Sequence, residues 1–175
     1  MHARIRSITM WRSLALMTLI VPASTEAQQA PARPPRAIPG ITTADSFPQA
    51  CVSCHVVLPS GMDVRISTLM QQWMESVDSS LLAMTQSVAP PGAVLAGKHP
   101  RTSASLRNIP TGCLSCHGET GTAGVPFGKL MHRIHLTGGP ESIYLTAFQG
   151  ECTYCHKLDL ATGAWSIPSG PEPGS

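Results

Sequence analysis

Three stretches of this chain place two cysteines and a histidine at one fixed spacing: Cys51-Val-Ser-Cys54-His55, Cys113-Leu-Ser-Cys116-His117 and Cys152-Thr-Tyr-Cys155-His156. Together they use all six cysteines. Two thiols three positions apart can add across the vinyl groups of a porphyrin as thioethers, and the imidazole that follows at once can take the proximal position on iron. The spacing therefore predicts three covalently bound haem c groups. Cys51, Cys54, Cys113, Cys116, Cys152 and Cys155 would make the attachments, and His55, His117 and His156 would ligate iron.

Other uses of these residues fit less well. A zinc site needs four ligands closing a tetrahedron, and three identical pairs each followed at once by His divide badly into such sets. A thioredoxin-like motif would occur once, near a βαβ pattern that is not visible here. A disulfide closed within so short a loop would be strained.

The second axial ligand separates electron carriers from catalysts and gas binders. Of seven histidines, three are proximal and His2 falls in the N-terminal segment, so His99, His132 and His135 remain for three irons. That parity predicts bis-histidine ligation, which closes each iron to substrate and gives a low potential, because imidazole stabilises ferric iron better than a thioether does. His132 and His135 are about 4.5 Å apart in helical rise and cannot both serve one haem. They are expected to serve two neighbouring haems, with one as a surface or propionate-binding residue as the alternative. Methionine is the rival ligand. Met62 and Met131 are the candidates, whereas Met70, Met74 and Met84 lie on or beside an apolar stripe where core packing is expected.

These sites need elements to hold them. Between the first two motifs Ile66, Leu69, Met70, Trp73, Met74, Val77, Leu81, Met84 and Val88 recur at helical steps, which predicts one helix of about six turns, with Asp63 able to cap its start and Pro90-Pro91-Gly92 ending it. A shorter helix is expected over Phe127–Leu136, stopped by Gly138-Gly139-Pro140. No strand alternation is apparent, and the motifs lie 62 and 39 residues apart without a repeat around them. The expected fold is mostly α and irregular: a small multihaem cytochrome c whose haems form the core, since aromatics are only 5% of the chain. The apoprotein would then be poorly folded.

Residues 1–27 carry Arg4, Arg6 and Arg12, an apolar run from Leu14 to Val21, and small residues ending at Ala27. This reads as a signal peptide for export to the periplasm or beyond, with an uncleaved anchor as the alternative; the run falls well short of the ~20 residues that span a bilayer. Residues 28–48 read as a Pro-rich flexible leader, 49–167 as the trihaem domain and 168–175 as a disordered tail. Without its three arginines and one glutamate in residues 1–27, the chain keeps nine basic and nine acidic residues, so no nucleic-acid surface is indicated. Haem propionates would make the assembly acidic, with Arg101, Arg107, Lys129, Arg133 and Lys157 as candidate counter-ions.

The stretch Lys129-Leu-Met-His-Arg-Ile-His135, followed by Phe148-Gln-Gly-Glu-Cys-Thr-Tyr-Cys-His156 and Trp165-Ser-Ile-Pro168, resembles segments of the outer-membrane decahaem cytochromes of metal-respiring bacteria. The likeness covers about the last fifty residues. It implies distal-ligand roles for His132 and His135 and a place in an electron-transfer chain. This chain has three motifs rather than ten and no room for the flanking β-barrel-like domains of that family. Its size suits a periplasmic shuttle between redox proteins, such as a membrane quinol-oxidising complex and a terminal acceptor or outer-membrane cytochrome, rather than an enzyme. The alternatives are a small reductase of nitrite, hydroxylamine or a similar oxyanion with one five-coordinate haem, and a haem relay subunit of a larger respiratory complex.

Overall fold

The computed structural model describes residues 37–119 and 124–173. The expected signal segment and residues 28–36 of the leader lie outside them. The described chain is irregular and mostly helical, in six short helices: α1 (Cys51–Cys54), α2 (Ile66–Glu75), α3 (Ser79–Gln86), α4 (Leu114–His117), α5 (Phe127–His135) and α6 (Ile143–Ala147). A two-stranded antiparallel hairpin pairs β1 (Lys157–Leu158) with β2 (Trp165–Ser166). No described helix is long and apolar enough to cross a membrane.

The long helix expected between the first two motifs is two helices. Continuation would bond the Val77 N–H to the Trp73 carbonyl. Instead Val77 donates to Gly97 O at 2.9 Å, and Trp73 O accepts from His99 N at 2.7 Å. Segment 97–99 thus inserts between the two helices, with Ser76 turned to extended backbone. Asp78 restarts the helix by accepting from Ser80 and Leu81 N–H groups. Asp63 is not the cap of α2: that position falls to Arg65, and Asp63 instead holds the Arg65 guanidinium and the Thr68 hydroxyl.

The start of α2 is satisfied from far along the chain. Ser67 N–H donates to the Glu172 carboxylate at 3.2 Å, and Glu172 is only 3% exposed. Ile109 and Gly170 exchange backbone bonds at 2.8 and 3.0 Å, and Thr111 bonds the Ser169 hydroxyl. Residues 168–173, expected as a disordered tail, are therefore fastened to the approach to the second motif and to α2. The flexible-leader reading fails likewise for residues 37–48. Asp45 pairs with Lys157 at 2.8 Å, and the Phe47 ring packs edge-on to Phe148 and Tyr154. Proline fixes φ without preventing packing of its neighbours.

Helix α5 matches its expected extent. Phe127, Leu130, Met131 and Ile134 recur at helical steps, and basic groups crowd its last turn, where they favour the negative end of the dipole. Ser142 then links two helices, donating its hydroxyl to His135 O while accepting from Leu145 N–H at the start of α6.

What these elements do not make is a large apolar interior. Among the described residues the buried hydrophobics are Ala50, Val52, Ile109 and Val125, all small or medium, while Val57, Met62, Leu160 and Trp165 stand more than half exposed. A domain of this length normally removes about two thirds of its surface from water. Neither α2 nor α5 fully buries a residue.

Candidate functional site

The six histidines of the described chain come together in three pairs, each joining one motif imidazole to one of the spare ones. His55 faces His135 with ring centres 6.2 Å apart, His117 faces His99 at 5.8 Å, and His156 faces His132 at 6.0 Å. The planes are nearly perpendicular in the first pair (86°), close to parallel in the second (20°) and tilted in the third (40°). We number these sites I, II and III after their motifs.

Local structure fixes each ring at sites I and II. His55 closes α1 and donates from Nδ1 to Val64 O at 2.8 Å; His117 closes α4 and donates to Val125 O at 2.7 Å. A carbonyl can only accept, so Nδ1 carries a proton, and it is Nε2 that a neutral imidazole so held presents as a ligand nitrogen. The opposing rings are held in the same way, His135 by Met131 O at 2.9 Å and His99 by Pro100 O at 2.8 Å. Burial keeps the His55 pKa below its ordinary value, against the opposing effect of the Val64 bond, so the ring is neutral and competent as a ligand.

One short helix serves all three sites. His132 and His135 of α5 meet sites III and I, while Phe127 at its start lies 6.4 Å from the His117 ring of site II. Tyr144 of α6 sits edge-on to His135 at 5.6 Å and donates to Glu151 O at 2.5 Å, linking site I to the residue that precedes the third motif. No local sequence pattern marks Tyr144, Val64 or Val125. A carbonyl eight or nine residues beyond the motif histidine repeats at sites I and II, although the sequence around the motifs does not.

All six cysteines are free thiols, with Cys116 and Cys152 exposed and the others half-buried. Burial and neighbouring thiols push Cys51 and Cys54 up to about 11, and burial raises Cys113 and Cys155 as well. These raised thiols are unlike the activated, low-pKa cysteine of a redox pair. Among the described residues no three His, Cys, Asp or Glu side chains converge into a metal cage. The zinc alternative therefore lacks its tetrahedron. Haem asks less of the chain, because the macrocycle supplies four of the six iron ligands and the protein only the axial two.

Whether haem fits can be tested on the ring separations. Iron–imidazole bonds of about 2.0 Å on each side, plus about 1.1 Å from each nitrogen to its ring centre, put the two centres about 6.2 Å apart. The three observed separations fall at that value or up to 0.4 Å below it. Beside His99 lies a cavity of about 890 Å³, within the range of cofactor sites. Met70 and Met74 line it, so these residues border open space where core packing was expected. On α5 the Arg133 Nε is buried without a partner, a position that an outside carboxylate such as a propionate would complete. Met62 is 57% exposed and Met131 serves through its backbone, and neither joins a ring pair. No family model, no curated protein and no solved structure matches this chain.

Proposed function

We propose that this protein is an exported trihaem c-type cytochrome that carries electrons between redox partners through low-potential, bis-histidine haems. One observation carries this reading: each motif imidazole faces a different spare imidazole at the separation that axial ligation of one iron requires. In this reading Cys51 with Cys54, Cys113 with Cys116 and Cys152 with Cys155 hold the three groups. The axial pairs are His55 with His135, His117 with His99, and His156 with His132. Haem supplies one-electron exchange at iron.

The chain's own residues tune and arrange that chemistry. With an imidazole on either side, each iron would be closed in its resting state to water and oxyanions, which favours carriage over catalysis. Carbonyls accepting from Nδ1–H raise the basicity of the ligand nitrogens at sites I and II, stabilise the ferric state and lower the potential. Helix α5 holds the distal ligands of sites I and III only three residues apart, so the two porphyrins would stand close and in fixed orientation. The small apolar interior supports the same reading, since the macrocycles would provide the missing core.

The cationic and apolar opening of residues 1–27 supports passage to the periplasm, where haem is attached in bacteria. Donor and acceptor would be redox proteins, with a membrane quinol-oxidising complex and an outer-membrane cytochrome as the partner types that suit a small shuttle. The test is protein expressed with export and haem maturation. Its mass should exceed that of the polypeptide by three haems, and low-temperature electron paramagnetic resonance of the oxidised protein should give three low-spin bis-imidazole signals. Colourless protein, or a full-weight high-spin ferric signal, would end the proposal.

A further inference from the structure

The three sites are not equivalent. At sites I and II all four imidazoles are tied to a backbone carbonyl through Nδ1, at 2.7 to 2.9 Å. At site III neither the His156 ring nor the His132 ring has a hydrogen-bond partner among the described residues; both residues are bonded through their backbone alone. His132 is also the single exposed histidine of the six.

The chain beyond the third motif also differs from the chain beyond the other two. Eight or nine residues after His55 and His117 the backbone returns with the Val64 and Val125 carbonyls. The corresponding carbonyl after His156 belongs to Ala164, and the hairpin uses it: Asp159 N–H donates to Ala164 O at 2.9 Å. On the distal side, His135 reaches back four residues to Met131 O, whereas His132 makes no such bond. A cavity of about 250 Å³ also borders His156, leaving that ring room to tilt.

We infer that His132 is the displaceable ligand of this protein, and that site III opens to a small diatomic ligand of haem iron while sites I and II stay closed. An imidazole without its Nδ1 bond is a weaker donor and is free to rotate. Water can also solvate it as it leaves, so exposure lowers the cost of departure. In that exchange the His132 Nε2 lone pair would be replaced by a lone pair of the entering ligand, one two-electron donor for another, with no change of oxidation state. This rests on the bis-histidine reading and adds to it a ligand-responsive site.

The experiment uses the full haem-loaded chain, reduced and titrated with carbon monoxide while absorbance is followed. One equivalent per three haems is expected. His132→Ala should still bind one equivalent, at least tenfold faster, because the site already open is the same one. His135→Ala and His99→Ala should each bind two. His132→Met, which keeps an axial donor, guards against loss of folding and should also bind one. Two equivalents in either His132 variant would place the wild-type site elsewhere and overturn the inference, as would no binding, or more than one equivalent, in the wild-type protein. Failure of the underlying reading is seen separately, as an oxidised protein that lacks three low-spin signals before carbon monoxide is added.

Discussion

Gly124 tests whether the seat of one imidazole sets the behaviour of one haem. A Cβ at this position would lie 2.7 Å from His117 Nδ1 and 2.8 Å from its Cε1, closer than side chains come without movement. Ordinary contact begins near 3.5 Å, so in Gly124→Ala the ring must retreat by roughly 0.8 Å. It can do so only by stretching the 2.7 Å bond to Val125 O, contributed by the very next residue. Overpacking of this kind costs about 1–3 kcal/mol, and a lost neutral hydrogen bond about 1 kcal/mol. If the lost bond acts mainly on the ferric state, about 1 kcal/mol corresponds to a rise in potential of roughly 40 mV for a one-electron couple. The assay is a spectroelectrochemical titration together with paramagnetic resonance of the oxidised protein. One haem should rise by some tens of millivolts with an altered low-spin signal, and the other two should stay as they were. Gly128→Ala is the control, because nothing lies within 4 Å of its Cβ and alanine within α5 should stabilise the chain by about 1 kcal/mol. Unchanged spectra and potentials in Gly124→Ala, or a change at every haem, would refute the reasoning.

Other expectations concern the ligands and the termini. His135→Ala should turn one low-spin haem high-spin with covalent loading intact, and His99→Ala should do the same at a different haem, distinguishable by its signal; mass and resonance spectra check both. Glu172→Ala removes the acceptor for the first turn of α2 and should cost about 1–2 kcal/mol, read as a lower Tm, as loss of a helix cap does. A third expectation concerns pH. Burial raises the Asp45 pKa, but the hydrogen bond from Lys157, the Phe47 N–H and the Lys157 charge together outweigh it, and the net position is below the ordinary 3.8. A carboxyl depressed in the folded state stabilises the protein above its unfolded pKa and loses that contribution as pH falls through the folded value. Thermal unfolding from pH 6 down to pH 2 should therefore show Asp45→Asn with a shallower loss of Tm below about pH 4 than the wild type. A parallel fall in both proteins would show that the Asp45–Lys157 pair does not contribute.

The chemistry proposed for the chain rests on a local pattern. Thiols and an imidazole in five consecutive residues need no distant neighbour to be recognised, and a count of the remaining histidines is enough to anticipate one partner for each motif. The period of Phe127, Leu130, Met131 and Ile134 likewise gives α5 its extent, because helical bonds and the apolar stripe are properties of adjacent turns. Which histidine meets which motif is a different matter. His99 reaches His117 because segment 97–99 takes the hydrogen bonds that would have continued α2, and no periodicity in residues 66–88 announces that competition. The composition of the tail suggests disorder, yet Glu172 is drawn in to supply a missing cap more than a hundred residues away. The difference at site III is also tertiary: the Ala164 carbonyl, eight residues beyond its motif histidine, is bonded within the hairpin by Asp159 N–H. Sequence determines which groups can bind a metal; hydrogen bonds between distant backbone segments decide which of them face each other, and how firmly each is held.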